Sequence, residues 1–331
     1  MVLEYASKGS LRNYLDTNYN TLSWKDKLLH FCHIASGLVD IHRNELIHRD
    51  FHIGNVLVSN FVKIADLGLC KPADYSALEN TRKNVYGVLP YVAPEIIRGY
   101  DYTKAADIYS FGIIMYEVIS GLPPYHDVSH NEMLAIKICK GLRPTFNIKV
   151  PQLIVQLIKR CLDANPVNRP TAKEIEEITK IWWHEPTAEL QKQIKEAEKI
   201  NKNISIISII PSASLRISYK THSDAIYTSR LLNFNNLPEQ KNSDDYYEQN
   251  DNIISNEFLE SLQIDISQLN IDDSDKLSKP KNSDDYEQND DNMISKEDLE
   301  SLQIDISQLN DLTKTGNLKA KIKSRIKAVI K

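Results

Sequence analysis

"LIHRDFHIGNVLV", Leu46 to Val58, sets two His, an Arg, two Asp or Asn positions and a Gly between apolar residues. An apolar frame rarely carries so many polar groups without a task. The segment before it, "TLSWKDKLLHFCHIASGLVDIHRN", predicts a helix with Ser23 as N-cap. Leu28, Leu29, Phe31, Cys32, Ile34, Ala35, Leu38, Val39 and Ile41 give that helix a wide apolar face. After the loop, "NVLVS" and "FVKIAD" predict two short strands turning at Ser59-Asn60, a hairpin. The polar cluster thus falls between a helix end and a hairpin, where backbone can be irregular.

His48-Arg49-Asp50, with Asn55 five residues after the Asp, is the arrangement H-R-D-x-x-x-x-N. An Asp at a loop tip can accept a proton from an attacking hydroxyl. The Asn side-chain carbonyl can hold a Mg²⁺ ion. Asp66-Leu67-Gly68 follows the second strand, and its carboxylate can hold Mg²⁺ against nucleotide phosphates, since hard oxygen ligands suit that ion. Phosphoryl transfer asks for positioning, charge neutralisation and a base, and this set supplies all three from one side.

Working outward, "KAADIYSFGIIMYEVISG" (Lys104 to Gly121) is apolar almost all round, which predicts a buried helix with Gly121 as its C-cap. Helical patterns follow near 129–139, 151–162 and 171–182, the last two separated by "NPVNRP". The first 185 residues are expected to be mainly α-helical with one small β hairpin, an α+β domain with a core of its own.

Beyond Glu185 the composition changes. Residues 186–240 predict a linker containing a polar helix over "TAELQKQIKEAEKINKN". Residues 241–313 hold 5 Lys or Arg against 20 Asp or Glu, and so predict a disordered acidic tail. Within it 241–270 recurs as 281–310 with 23 of 30 positions identical; two copies are too few to build a solenoid. Each copy ends in "SLQIDISQLN", a candidate short motif that orders on a partner. Residues 314–331 hold 7 Lys or Arg and no acid, with Leu318, Ile322, Ile326 and Ile330 at four-residue steps. That pattern predicts a basic amphipathic helix that touches anionic lipid or folds back on the acidic tail.

Cys32, Cys70, Cys139 and Cys161 have neither C-x-x-C nor zinc-ligand spacing, which predicts free, mostly buried thiols. No apolar run reaches the ~20 residues of a membrane span, and "MVLEYASKGS" lacks a signal peptide's basic flank and apolar core. The expectation is a cytoplasmic chain, with a nuclear one as the alternative.

The motifs together resemble the catalytic half of a eukaryotic protein kinase, in its tyrosine-kinase-like branch. "HRDFHIGN" resembles the catalytic loop, "DLG" the metal-binding motif with Gly68, and "APE" (Ala93-Pro94-Glu95) the end of the activation segment. "MVLEYASKGSL" resembles the hinge between lobes, and "CLDANPVNRPT" the closing region of the C-terminal lobe. The resemblance runs from residue 1 to about 185 in the family's order. It implies Asp50 as base, Arg49 steadying the activation segment, and Asn55 and Asp66 as metal ligands. It implies ATP with Leu57 beneath the adenine and the backbones of Glu4 and Ala6 at its edge. His48, Asp107, Glu95 and Arg169 are then scaffold, with Asp107 capping buried amides and Glu95–Arg169 a buried ion pair. The implied partner is a protein substrate; DNA is not expected.

Two departures qualify that expectation. The family's N-terminal lobe, with its Gly-rich loop, strand Lys and helix Glu, has no counterpart from Met1 onward. The sequence is therefore expected to be a fragment or mis-started copy of a longer kinase, binding Mg-ATP weakly or not at all by itself. The alternative is a catalytically dead lobe that serves as a protein-binding scaffold beside the acidic repeats. Second, His52 stands where Ser/Thr kinases carry Lys, and Val88 where they carry Thr. A part-charged His52 could still touch a γ-phosphate. Ser/Thr specificity is favoured over Tyr. Ser76, Thr81 and Tyr86 are candidate phosphosites whose added charge could pair with Arg49.

Overall fold

The computed structural model describes residues 6–73, 85–207 and 219–243. Over them the chain is helix-rich with small antiparallel sheets, an α+β arrangement. Helix α1 (Leu11–Asn18) starts at Ser10, whose hydroxyl accepts from the Asn13 N–H. Helix α2 (Trp24–Arg43) begins in a full capping box. The Ser23 hydroxyl accepts from the Asp26 N–H at 3.2 Å while the Asp26 carboxylate accepts from the Ser23 N–H at 2.9 Å. Two orphan donors of the helix start are satisfied at once, so the boundary is sharp.

Strand β1 (Leu46–Ile47) leads into the polar loop. The predicted hairpin is β2 (Val56–Val58) and β3 (Val62–Ile64), in register Val56 to Ile64 and Val58 to Val62. β4 (Lys71–Pro72) returns to pair with β1. After β5 (Val85–Gly87) and the short α3 (Pro94–Ile97) comes α4 (Lys104–Ser120). Helix α4 is buried from Ala106 to Ser120 and ends on Gly121 at φ +72°, the left-handed C-cap that glycine takes without penalty. Phe111, Ile113, Ile114 and Val118 are fully buried in it, each contributing about 1.5–3 kcal/mol of hydrophobic transfer energy.

Helices α5 (Glu132–Cys139), α6 (Gln152–Cys161) and α7 (Ala172–His184) surround this centre, close to the predicted ranges. Gly112 on α4 admits the end of α6: a Cβ there would lie 2.8 Å from Cys161 Cβ and Leu162 Cδ2. Helix α2 packs along α7 and braces the loop from behind. Cys32, Cys139 and Cys161 are buried and Cys70 half-buried, all as free thiols.

The expectation of a single hairpin needs correction. Two further strand pairs are present, β1 with β4 and β5 with β6 (Arg230–Leu232). The partners in these pairs are distant in the chain, with no tight turn to signal them; their pairing is imposed by the surfaces that bring them together. Within the stretch expected as a linker, α8 (Ala188–Ile207) buries Leu190 and Ala197, and residues 219–243 lie against the helical body. Both acidic repeats beyond Ser243 and the basic end lie outside the described residues, as do Glu4, Ser76 and Thr81. No helix among the described residues is long and apolar enough to cross a membrane.

Candidate active site

The loop between β1 and β2 is held from below by α4. Asp107, in the first turn of α4, accepts from the backbone N–H of His48 at 2.9 Å and of Arg49 at 3.1 Å. His42, in the last turn of α2, adds its Nε2 at 2.9 Å from the same carboxylate. These bonds pin Arg49 at φ +72°, a left-handed conformation that costs a non-glycine residue free energy. His48 is fully buried and its Nε2 meets the Ala65 carbonyl at 3.0 Å, tying the loop to the end of β3. The Arg49 guanidinium lies over the Tyr102 ring, 4.4 Å from its centroid.

The next residues are ordered by the loop's own backbone. Asn55 Nδ2 donates to the Asp50 carbonyl at 2.9 Å. With the amide nitrogen so committed, Asn55 keeps its carbonyl oxygen for another partner. Asp66 sits at φ +58° and accepts from the Gly68 N–H at 3.3 Å. Asn55 and Asp66 together offer hard oxygen donors of the kind Mg²⁺ uses when nucleotide phosphates complete its shell. Among the described residues no group of three or more His, Cys, Asp or Glu could hold a metal by itself. Two oxygen donors suit a Mg²⁺ ion whose remaining shell would be completed by phosphates and water.

Asp50 is 8% exposed. Its Oδ2 accepts from the Ser229 hydroxyl at 2.6 Å, and its buried Oδ1 has no hydrogen-bond partner among the described residues. His52 Nε2 stands 3.3 Å from Ser229 Oγ and 3.8 Å from Asp50 Oδ1. His52 Nδ1 accepts from the Gly54 N–H at 3.1 Å, so the proton of the neutral ring lies on Nε2 and points to Ser229. Burial pushes the His52 pKa below the usual imidazole range, with Asp50 opposing only in part. The ring is thus a neutral donor near pH 7, not the part-charged group its composition suggests.

Opposite the loop lies the segment that ends at Glu95. Gly87 takes φ +150°, and a Cβ there would sit 2.9 Å from Val92 Cγ2 and 3.7 Å from Asp50 Oδ1. Val88 is buried. Tyr86 is exposed, and its carbonyl accepts from the Tyr102 hydroxyl at 3.1 Å. Glu95 and Arg169 form a buried pair 2.7 Å apart. Leu57 is half-buried on β2, bridged to Ser10; half-buried Ala6 accepts from the Gly9 N–H.

Sequence reasoning missed three features. Ser229 is the first. The second is the pair of Tyr91 and Glu117, whose hydroxyl and carboxylate bond directly, with Arg12 Nη1 on the other carboxylate oxygen at 2.6 Å. Desolvation raises the pKa of Glu117, and Arg12 and Tyr91 hold it back. A lone Glu inside the apolar run "GIIMYEVIS" was the available signal. The third is Tyr102 under Arg49, which no local pattern announces.

A family model for "Protein tyrosine and serine/threonine kinase" matches residues 1–179. A Dictyostelium discoideum protein named "Probable serine/threonine-protein kinase" is 34% identical over 178 residues, 53% of this chain and 11% of that one. Human receptor-interacting serine/threonine-protein kinase 1 is 33% identical over 196 residues, 54% of this chain and 29% of its own. A tyrosine-protein kinase of Girardia tigrina is 29% identical over 187 residues, 54% and 37% respectively. This chain therefore spans about a tenth to a third of the length of the curated relatives it matches.

Proposed function

The chain belongs to the protein tyrosine and serine/threonine kinase family, and on that premise we propose that it carries the C-terminal lobe of a kinase that phosphorylates protein serine or threonine. The observation that carries this reading is the hydroxyl of a serine donating to Asp50 Oδ2 at 2.6 Å. A general base must lie within hydrogen-bond reach of the proton it takes, and Asp50 does.

Bound as its magnesium complex, ATP supplies the transferable phosphoryl group. Asn55 and Asp66 are the residues that would hold that metal, with Gly68 shaping the turn. Asp50 accepts the acceptor hydroxyl's proton as the oxygen attacks. His52 donates to the same oxygen and aims one of its lone pairs. A neutral donor does this without placing a cation beside Asp50, which offers one reason for a His where Ser/Thr kinases carry Lys. Leu57 and the backbones of Glu4 and Ala6 are assigned to the adenine. Arg49 and Tyr102 tie the loop to the activation segment, and Glu95–Arg169 anchors that segment's end. Tyr86, exposed on β5, stays a candidate phosphosite with Ser76 and Thr81.

The test is transfer of labelled phosphate to casein by the full chain and by Asp50→Asn, with Mg-ATP at millimolar concentration to offset the weak binding expected without the N-terminal lobe. Loss of about 10²–10⁴-fold in the variant is expected, with an unchanged circular dichroism spectrum. Equal transfer by both proteins would remove Asp50 from the base role.

A further inference from the structure

We propose that Ser229 is a phosphoacceptor within the chain itself, delivered to Asp50 by strand β6; this rests on the kinase reading above. Residue 229 lies 179 positions from Asp50 in the sequence, yet its Oγ donates to Asp50 Oδ2 at 2.6 Å and faces His52 Nε2 at 3.3 Å. A surface serine has no need of a buried carboxylate. This one sits where an attacking hydroxyl would.

The placement is built on both sides of Ser229. On the C-terminal side, β6 adds antiparallel to β5, with Gly87 opposite Arg230, Tyr86 opposite Leu231 and Val85 opposite Leu232. Main-chain pairing of this kind is a common way to bind an extended peptide: the backbone gives affinity and pockets give specificity. The Arg230 guanidinium also donates to the His130 carbonyl. On the N-terminal side, the Tyr227 hydroxyl donates to the Pro124 carbonyl at 2.9 Å, and the Ile226 N–H to His130 Nδ1 at 3.1 Å. The His130 N–H in turn donates to the Asp224 carbonyl at 3.0 Å. A slip of one residue would turn the hydroxyl away from Asp50, so these anchors fix the register. Gly87 completes the fit, because its missing side chain leaves room between β5 and Asp50.

The step balances with a nucleoside triphosphate as co-reactant. Ser229 Oγ forms a bond to the γ-phosphorus. The bond from that phosphorus to the β,γ-bridging oxygen breaks, and its electron pair leaves on the diphosphate. The hydroxyl proton passes to the Asp50 carboxylate and then to water. While Ser229 occupies Asp50, no external hydroxyl can, so internal and external acceptors compete.

The full chain is incubated with Mg-ATP, alone and with casein, and phosphate is located by peptide mass spectrometry. Phosphate is expected on Ser229, retained in Ser229→Thr and absent in Ser229→Ala and Asp50→Asn. The rate per molecule should not change on dilution, as an intramolecular step requires. The double variant Tyr227→Ala/Arg230→Ala should slow Ser229 labelling by about tenfold, the effect of ~1.4 kcal/mol of lost positioning, and should raise casein labelling as the channel empties. Labelled casein with bare Ser229 overturns this inference and leaves the kinase reading intact. Mg-ATP is supplied at millimolar concentration to offset the weak binding expected without the N-terminal lobe, and labelling of neither then overturns both. A Ser229 rate that scales with chain concentration overturns the intramolecular placement.

Discussion

Arg169 and Glu95 meet fork to fork in the interior: Nη1 to Oε1 and Nη2 to Oε2, each 2.7 Å. Arg169 spends two further donors on the carbonyls of Asp163 and Ala105, at 2.8 and 2.9 Å. The Arg side chain is fully buried and the Glu side chain 5% exposed. The pair joins α3, which contains Glu95, to the residues just before α7, so the segment facing Asp50 is fastened at its far end.

Breaking that pair strands one charge. Arg169→Ala or Glu95→Ala should each lower stability by about 3–5 kcal/mol. Replacing both, Glu95→Leu with Arg169→Met, should cost less than either single change because no buried charge is left over. Urea unfolding measures all three. A double variant as unstable as the two singles summed would show that the partners act independently.

Asp107 satisfies two buried amides and fixes a left-handed Arg49. In Asp107→Ala each stranded N–H costs about 1–3 kcal/mol, so a stability loss of at least ~2 kcal/mol is expected. Phosphotransfer should fall further than stability accounts for, because the loop beside Asp50 relaxes. Casein phosphorylation measured well below the melting transition checks this; full activity there would separate Asp107 from the loop's geometry.

Gly87→Ala meets two obstacles, a φ of +150° and a contact of 2.9 Å with Val92. Backbone strain of this kind costs about 1–3 kcal/mol. The added methyl also intrudes toward Asp50 and the β5–β6 pairing. A lower melting temperature and a slower labelling of Ser229 are expected together. An unchanged melting temperature would mean that the turn has a second conformation open to it.

The chain should lose stability in mild acid. Burial holds the His30 pKa near 4, and lowers those of His33, His52 and His130. Unfolded, each titrates near the ordinary 6.5. Below that value the unfolded chain takes up protons that the folded chain refuses, so stability is whole above it and falls as pH drops toward 4. His30 alone accounts for up to ~3 kcal/mol. Urea midpoints should fall steadily from about pH 7 to about pH 4.5, and His30→Phe should flatten the decline. A flat profile in the parent chain would contradict the buried, neutral assignment.

Helices were the most legible part of the fold. Ser23, the buried run of α4 and Gly121 announce themselves because capping and apolar periodicity are local properties. The grouping of Asp50, Asn55 and Asp66 was legible for the same reason, since one loop and one hairpin carry all of them. The extra strand pairs were not, because their partners lie far apart in the chain with no tight turn to announce the pairing. The Arg12–Glu117–Tyr91 network was half legible: an isolated carboxylate in an apolar helix calls for partners, but nothing local names them.

The sequence by itself determined the helical body, the loop that holds Asp50 and Asn55, and the hairpin that leads to Asp66. These follow from hydrogen bonds and burial within a few turns of chain. Only the tertiary structure decided what Asp50 faces. Its partner comes from residue 229, through a strand pairing whose register depends on surfaces assembled from β5, α5 and the residues before it. It also set the state of His52, because burial and the Gly54 amide, not residue type, decide its charge and where its proton sits.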